Sequence, residues 1–153
     1  MTEASARHGL TVRAARVVPA PPPAVWHALT DAETMHQWWG KTEKADLFAC
    51  EIEPRAGGRF RLGTRLPKGD DRVFSGTYRE WGAPRRLAFT WSEEDATARV
   101  QGTAVTIDLF DLKDGSTRVV VTHEGLPTPT SASTHSAGWH DLLQDITLHF
   151  AAA

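Results

Sequence analysis

The chain has 153 residues, 41% hydrophobic and 24% charged, with a formal net charge of −2, the proportions of one soluble globular domain that buries roughly two-thirds of its unfolded surface. The slight negative charge excludes nucleic acid as the main partner, and no apolar run reaches the ~18 residues of a membrane span. A single cysteine, Cys50, excludes an intramolecular disulfide and a cysteine-rich zinc site, and without a signal-peptide stretch from Met1 to Thr11 the expected location is cytoplasmic.

In chain order, residues 1–9 read as a flexible N-terminus, 10–150 as a single domain and 151–153 as a short tail. Leu10 to Val18 is rich in β-branched residues and reads as a first strand, which the prolines from Pro19 to Pro23 terminate. An edge strand there is able to pair with a second copy, so a homodimer is possible. Proline opens a short helix carrying Val25, Trp26 and Leu29. Asp31 caps a second helix with Met35, Trp38 and Trp39, which Gly40 ends.

From Leu47 onward the period changes to two. Phe48, Cys50 and Ile52 alternate with Ala49, Glu51 and Glu53, and Phe60 and Leu62 with Arg59 and Arg61. A hairpin centred on Ala56 sets Glu53 against Arg59 and Glu51 against Arg61, a salt ladder on the solvent face. The next hairpin turns at Gly82-Ala83-Pro84. It pairs Tyr78 with Leu87, Gly76 with Phe89 and Phe74 with Trp91, all on one face, but sets Arg79 against Arg86. Glu93-Glu94-Asp95 reads as a solvated hairpin tip. In a third hairpin a three-residue loop, Lys113-Asp114-Gly115 with Gly115 left-handed, pairs Ile107 with Val121, Leu109 with Val119 and Val105 with His123. A two-residue turn at Asp114-Gly115 would turn Val119 and Val121 outward.

Ser131 to Phe150 carries Trp139, Leu142, Leu143, Ile146 and Phe150 on one helical face. The order is strand, two short helices, about six antiparallel strands and one long helix. That predicts an α+β domain whose last helix covers one sheet face.

This order, with its motifs, resembles the START-like, polyketide-cyclase and birch-pollen-allergen (SRPBCC) superfamily and its helix-grip fold. Within it, the chain is most similar to the family named for the activator of the heat-shock protein 90 ATPase. The resemblance rests on Pro22-Pro23-Ala24-Val25-Trp26-His27-Ala28-Leu29-Thr30-Asp31, Trp38-Trp39-Gly40, Arg55-Ala56-Gly57-Gly58-Arg59-Phe60 and Gly76-Thr77-Tyr78. It continues in Pro84-Arg85-Arg86-Leu87-Ala88-Phe89-Thr90-Trp91, Thr122-His123-Glu124-Gly125-Leu126 and Gly138-Trp139, spanning roughly residues 10 to 150. It implies a curved sheet of six to seven strands gripping the C-terminal helix, with an apolar cavity between them. It also implies an apolar small molecule, lipid-like or polyketide-like, as partner. The eukaryotic co-chaperones of the family carry an extra N-terminal domain, for which a first strand at Leu10 leaves no room.

On that reading the cavity walls are Trp39, Phe60, Phe74, Tyr78, Phe89, Trp91, Ile107, His123, Trp139 and Leu143. Each is equally what a packed core requires. A dry void of ~300 Å³ would cost roughly 7 kcal/mol, comparable with a whole domain's stability, so such a pocket is expected partly collapsed, wet or filled. His123 and Tyr78 are the polar groups expected on the inner face, as a satisfied core pair or as orienting contacts for a guest. His36 and a loop from Lys41 to Asp46 are expected at the mouth.

Harder chemistry is not evident. Metalloprotease, nucleophile-elbow, phosphate-loop and dinucleotide motifs are missing from the sequence, so no catalytic residue, metal ligand or cofactor is expected. His135 and His140, five apart, share no helix face, and Ser136 with His140 lacks an orienting acid. The enzymatic alternative is a cyclase- or dehydratase-like protein using Tyr78 or His123 as acid or base. The other alternative is a co-chaperone-type interaction module.

Overall fold

The computed structural model describes residues 9–94 and 100–151. Apart from Gly9 and Ala151, the ends expected to be flexible lie outside the described residues, as does Asp95 of the expected acidic tip. The elements are β1 (Leu10–Val18), α1 (Pro22–Thr30), α2 (Ala32–Trp38), β2 (Asp46–Ile52), β3 (Arg59–Arg65), β4 (Asp71–Gly82), β5 (Arg86–Glu93), β6 (Thr103–Asp111), β7 (Thr117–Leu126) and α3 (Pro129–Ala151). The strands form one curved antiparallel sheet in the order β1-β7-β6-β5-β4-β3-β2, which leaves β1 and β2 at its edges. No described helix is long and apolar enough to cross a membrane.

Local chemistry accounts for the short helices. Pro21 precedes α1 and proline occupies its first turn, where a missing N–H does no harm. The Asp31 carboxylate caps α2, accepting from Thr34 N at 3.0 Å and from Thr34 Oγ1 at 2.7 Å. These bonds hold its carboxyl below the usual carboxylate range. Trp38 is buried, and its Nε1 donates to the Ala28 carbonyl at 3.0 Å, tying α2 back onto α1.

Two hairpins have the expected pairing and one does not. Glu51 faces Arg61 across β2–β3, but the Arg61 guanidinium reaches Glu94 at 3.3 Å, so the expected ladder is replaced there by a bond to the end of β5. Glu53 accepts from the Arg59 backbone N–H at 2.7 Å. The β6–β7 hairpin closes on Lys113-Asp114-Gly115, with Ile107 opposite Val121, Leu109 opposite Val119 and Val105 opposite His123. Gly115 is left-handed at φ 88°, as the three-residue loop requires.

In β4–β5, Tyr78 faces Phe89 instead of Leu87, and Phe74 faces Glu93 instead of Trp91. The register then breaks between Tyr78 and Glu80, leaving Arg79 as the extra residue of a bulge, so that Trp81 faces Leu87. The slip separates Arg79 from Arg86, whose guanidinium bonds Glu80 at 3.1 Å and Asp108 at 2.9 Å. It also keeps Phe74, Gly76 and Tyr78 on the concave face and adds Trp81, whose ring meets Trp26 and Tyr78 edge-on at 5.3 and 4.9 Å. Gly76 is where two strands and a ring converge: a Cβ there would lie 1.8 Å from the Thr90 carbonyl oxygen and 2.7 Å from the Phe60 ring. Further register breaks in β1 and β2 bend the sheet edges.

The long helix buries Trp139, Leu142, Leu143 and Ile146 against the concavity. Its backbone comes closest to β1 and lies farther from the middle of the sheet. Large rings fill that wider gap. Phe60 meets Phe89 edge-on at 5.3 Å, Phe74 stacks on Trp91 at 4.7 Å, and Trp91 meets Trp139 at 5.2 Å.

Candidate functional site

The rings leave two chambers between sheet and helix. The outer one, about 100 Å³, sits where the sheet end, α3 and the turn after α2 meet. Thr64 of β3, Phe74 of β4, and Trp91 and Glu93 of β5 form its floor, while His135, Gly138, Trp139 and Asp141 of α3 form its roof. Trp39, Gly40, Glu43 and Ala45 close the side. The inner one, about 40 Å³, is walled by Phe60, Tyr78, Phe89, Trp91 and Ile107. Trp38, Trp39, Trp91, Trp139 and Leu142 belong to both, so they form a shared partition. Exposed Glu43 and Gly138 stand on the rim of the outer chamber, which is therefore open to solvent on that side.

Eight residues expected at a cavity wall line one chamber or the other: Trp39, Phe60, Phe74, Tyr78, Phe89, Trp91, Ile107 and Trp139. Leu143 and His123 line neither. Leu143 packs into the core at 1% exposure. His123 is wholly buried and fully bonded. Trp139 Nε1 donates to its Nδ1 at 3.0 Å, so the ring proton resides on Nε2. That proton goes to Thr103 Oγ1 at 2.7 Å, and the Thr103 hydroxyl passes its own to the Trp91 carbonyl at 2.8 Å. Burial, with the neighbouring His135, lowers the His123 pKa to about 3. The imidazole is thus a neutral strut linking β7, β6, β5 and α3, without a free nitrogen for a guest or a proton.

Tyr78 keeps its phenol protonated, since burial drives its pKa well up. Burial, followed by the charges of Asp31 and Glu51, pushes the half-buried Cys50 thiol up to about 11, which makes it a packing group. His36 is exposed and lines neither chamber, whereas Glu43 and Ala45 of the expected mouth loop, with Gly40 just before it, line the outer one. That turn is fastened to α3. The Asp145 carboxylate, 3% exposed, accepts from Thr42 N at 2.8 Å and from Thr42 Oγ1 at 2.6 Å.

Thr64, Glu93 and His135 were not expected at the wall. Thr64 Oγ1 and Trp91 Nε1 are sealed from solvent without a hydrogen-bond partner among the described residues. Each orphan costs roughly 1–3 kcal/mol. Glu93 lies two residues beyond Trp91 on the same strand face, and His135 lies one helical turn before Trp139, so both were within reach of periodicity. His135 is held by the Ser131 carbonyl at 2.8 Å from its Nδ1, and its Nε2 stands 3.6 Å from Glu93 Oε2. Among the described residues, no group of three or more His, Cys, Asp or Glu side chains is arranged to hold a metal ion.

The same fold recurs in solved structures. A protein from Chromobacterium violaceum is 25% identical, with a TM-score of 0.78 over 92% of this chain and 96% of that one. The AHSA1 protein of Silicibacter pomeroyi is 21% identical, with a TM-score of 0.79 over 94% and 99%. An HSP90 activator from Plasmodium falciparum is 20% identical, with a TM-score of 0.72 over 94% and 97%. None of the curated proteins matches. The profile of the activator of Hsp90 ATPase homolog 1-like proteins matches residues 19–151. With that match spanning all three helices and six of the seven strands, the chain belongs to the family of activator of Hsp90 ATPase homolog 1-like proteins.

Proposed function

We propose that this protein binds a small apolar or aromatic molecule between the curved sheet and α3, without acting as an enzyme. The observation that carries the reading is the outer chamber, walled by Trp38, Trp39, Phe74, Trp91 and Trp139 at the end of the concavity. Indole and phenyl rings offer large contact area at low conformational cost, and a guest recovers the dispersion that an empty chamber forfeits. With His123 saturated, the site supplies no evident acid or base at the positions a cyclase-like reading would use.

Gly138 offers a direct test. It lines the outer chamber from a helix, and a Cβ built on it meets nothing within 4 Å. Gly138 is exposed, so Gly138→Leu sets a side chain over the chamber's rim, and it removes a helix-interior glycine, which favours the helix by roughly 1 kcal/mol. Native mass spectrometry of the protein from its own host is expected to show a retained small molecule in the wild type. Gly138→Leu is expected to lack it while melting no lower. Bare protein in both cases, with no small aromatic raising the wild-type melting temperature, would overturn the reading. The family description and the likeness to an HSP90 activator support a second reading, an interaction module acting on a chaperone. Stimulation of a heat-shock protein 90 ATPase that survives Gly138→Leu would favour it.

A further inference from the structure

We infer, building on the ligand-binding reading, that the outer chamber is a vestibule and that Trp39 is the gate through which the apolar end of the guest passes into the inner chamber. The two spaces differ in chemistry. Around the outer one, Glu43, Arg72, Glu93 and Asp141 bring charge to the walls, and Glu43 and Arg72 are exposed to water. The inner one has no charged side chain among its described walls, where Leu29, Met35, Ile52, Leu62, Leu87 and Ile107 stand beside the rings. An apolar group gains more there than in the vestibule, because burial is favourable in proportion to the apolar area removed from water.

The partition between the spaces is held unevenly. Of its five residues, Trp38, Trp91, Trp139 and Leu142 are between 1% and 9% exposed. The indole nitrogens of Trp38 and Trp139 donate to the Ala28 carbonyl and to His123, and the Trp91 ring meets Phe74 at 4.7 Å and Trp139 at 5.2 Å. Trp39 is half-buried at the end of α2, and among the described rings it meets Trp38 alone, at 5.8 Å. Displacing it disturbs the least packing of the five.

The turn that follows Trp39 is built as one piece. Gly40 is left-handed at φ 75°, the Ala45 N–H donates to the Gly40 carbonyl at 2.8 Å, and the Lys44 N–H donates to the Lys41 carbonyl at 3.1 Å. Lys44 is itself left-handed at φ 56°, a conformation unfavourable for a residue with a Cβ, so the turn keeps this shape because its surroundings hold it. Asp145 holds it through Thr42, and this carboxylate also lines the outer chamber. Asp145 is thus the latch. When Thr42 leaves it, the turn and Trp39 swing away from the partition and the two spaces become one passage.

Toluene is a probe without polar groups, and methyl signals of the full chain distinguish the spaces, since Leu66 lines the outer one and Leu87 and Ile107 the inner one. Toluene is expected to shift the Leu87 and Ile107 signals. Its association, followed by exchange broadening, is expected to be about tenfold faster in Thr42→Val, which loses the hydroxyl bond to the latch, with little change in affinity. Trp39→Ala is expected to speed association at least as much, and Thr42→Val to add nothing in that background. Trp39→Leu serves should Trp39→Ala fail to fold. A shift confined to Leu66, equal rates in all variants, or additive effects of the two substitutions overturns the gate and leaves the pocket standing. So does faster entry in Ile52→Ala than in Trp39→Ala, because Ile52 is the other half-buried residue of the inner wall. Toluene that binds nowhere removes the ligand-binding reading and the gate with it.

Discussion

A histidine whose two ring nitrogens are both bonded inside a core behaves as an uncharged wedge, and His123 is such a residue. Its pKa is about 3 in the folded protein against an ordinary ~6.5 in the unfolded chain, so between those values the unfolded state binds the extra proton. Stability is therefore full above about pH 6.5 and declines as pH falls towards 3, by up to ~1.4 kcal/mol per pH unit. Denaturant melts of the wild type and His123→Gln at pH 7 and pH 4.5 check this. The wild type is expected to lose clearly more stability on acidification than the variant; equal losses would show that the imidazole is not held neutral. At this scale the sequence was legible where the cause was local. The Asp31 cap depends on Thr34, three residues on. Thr64, Glu93 and His135 become neighbours of one chamber only after two strands and a helix assemble, and Glu93 read alone is a solvated acid.

Among the elements, the β4–β5 hairpin shows what alternation is able to decide. A period of two defines faces but leaves register free to slip by two residues, since such a slip returns every side chain to the same face. Phe74, Tyr78, Phe89 and Trp91 were placed on the correct face for that reason while their partners were misassigned, and the bulge at Arg79 that turns Trp81 inward left no periodic trace. The β6–β7 hairpin was fully legible because its alternatives differed by one residue, which reverses the face. The turn after α2 is an element fixed from a distance. Its bonds run from Thr42 to Asp145, 103 residues away, and hydrogen bonds to a charged group are worth about 1.5–3 kcal/mol. Thr42→Val removes the hydroxyl bond and retains the backbone one. It is expected to lower stability by about 1–2 kcal/mol and to speed amide exchange through Lys41–Ala45 while α3 exchanges as before. Unchanged exchange in the turn would show that other contacts hold the mouth.

For the molecule as a whole, one helix is asked to fill the concave side of seven strands. It meets that demand unevenly, close to β1 and distant from the centre, and tryptophan and phenylalanine side chains make up the difference. The fold class was legible because element order and periodicity determine it. The cavity's size was not, because it is the small residue of sheet curvature, bulges and ring volumes, and it came out nearer 100 Å³ than the ~300 Å³ considered from the sequence. On the proposed reading, a guest in so small a chamber either is compact or rearranges the rings around it. The most direct measurement is the anomalous scattering of bromine in crystals soaked with 4-bromophenol. The account predicts a bromine peak enclosed by Trp39, Phe74, Trp91 and Trp139, and no such peak in Gly138→Leu crystals. Bromine found only on the outer face of the sheet, with the indoles undisturbed, would contradict it.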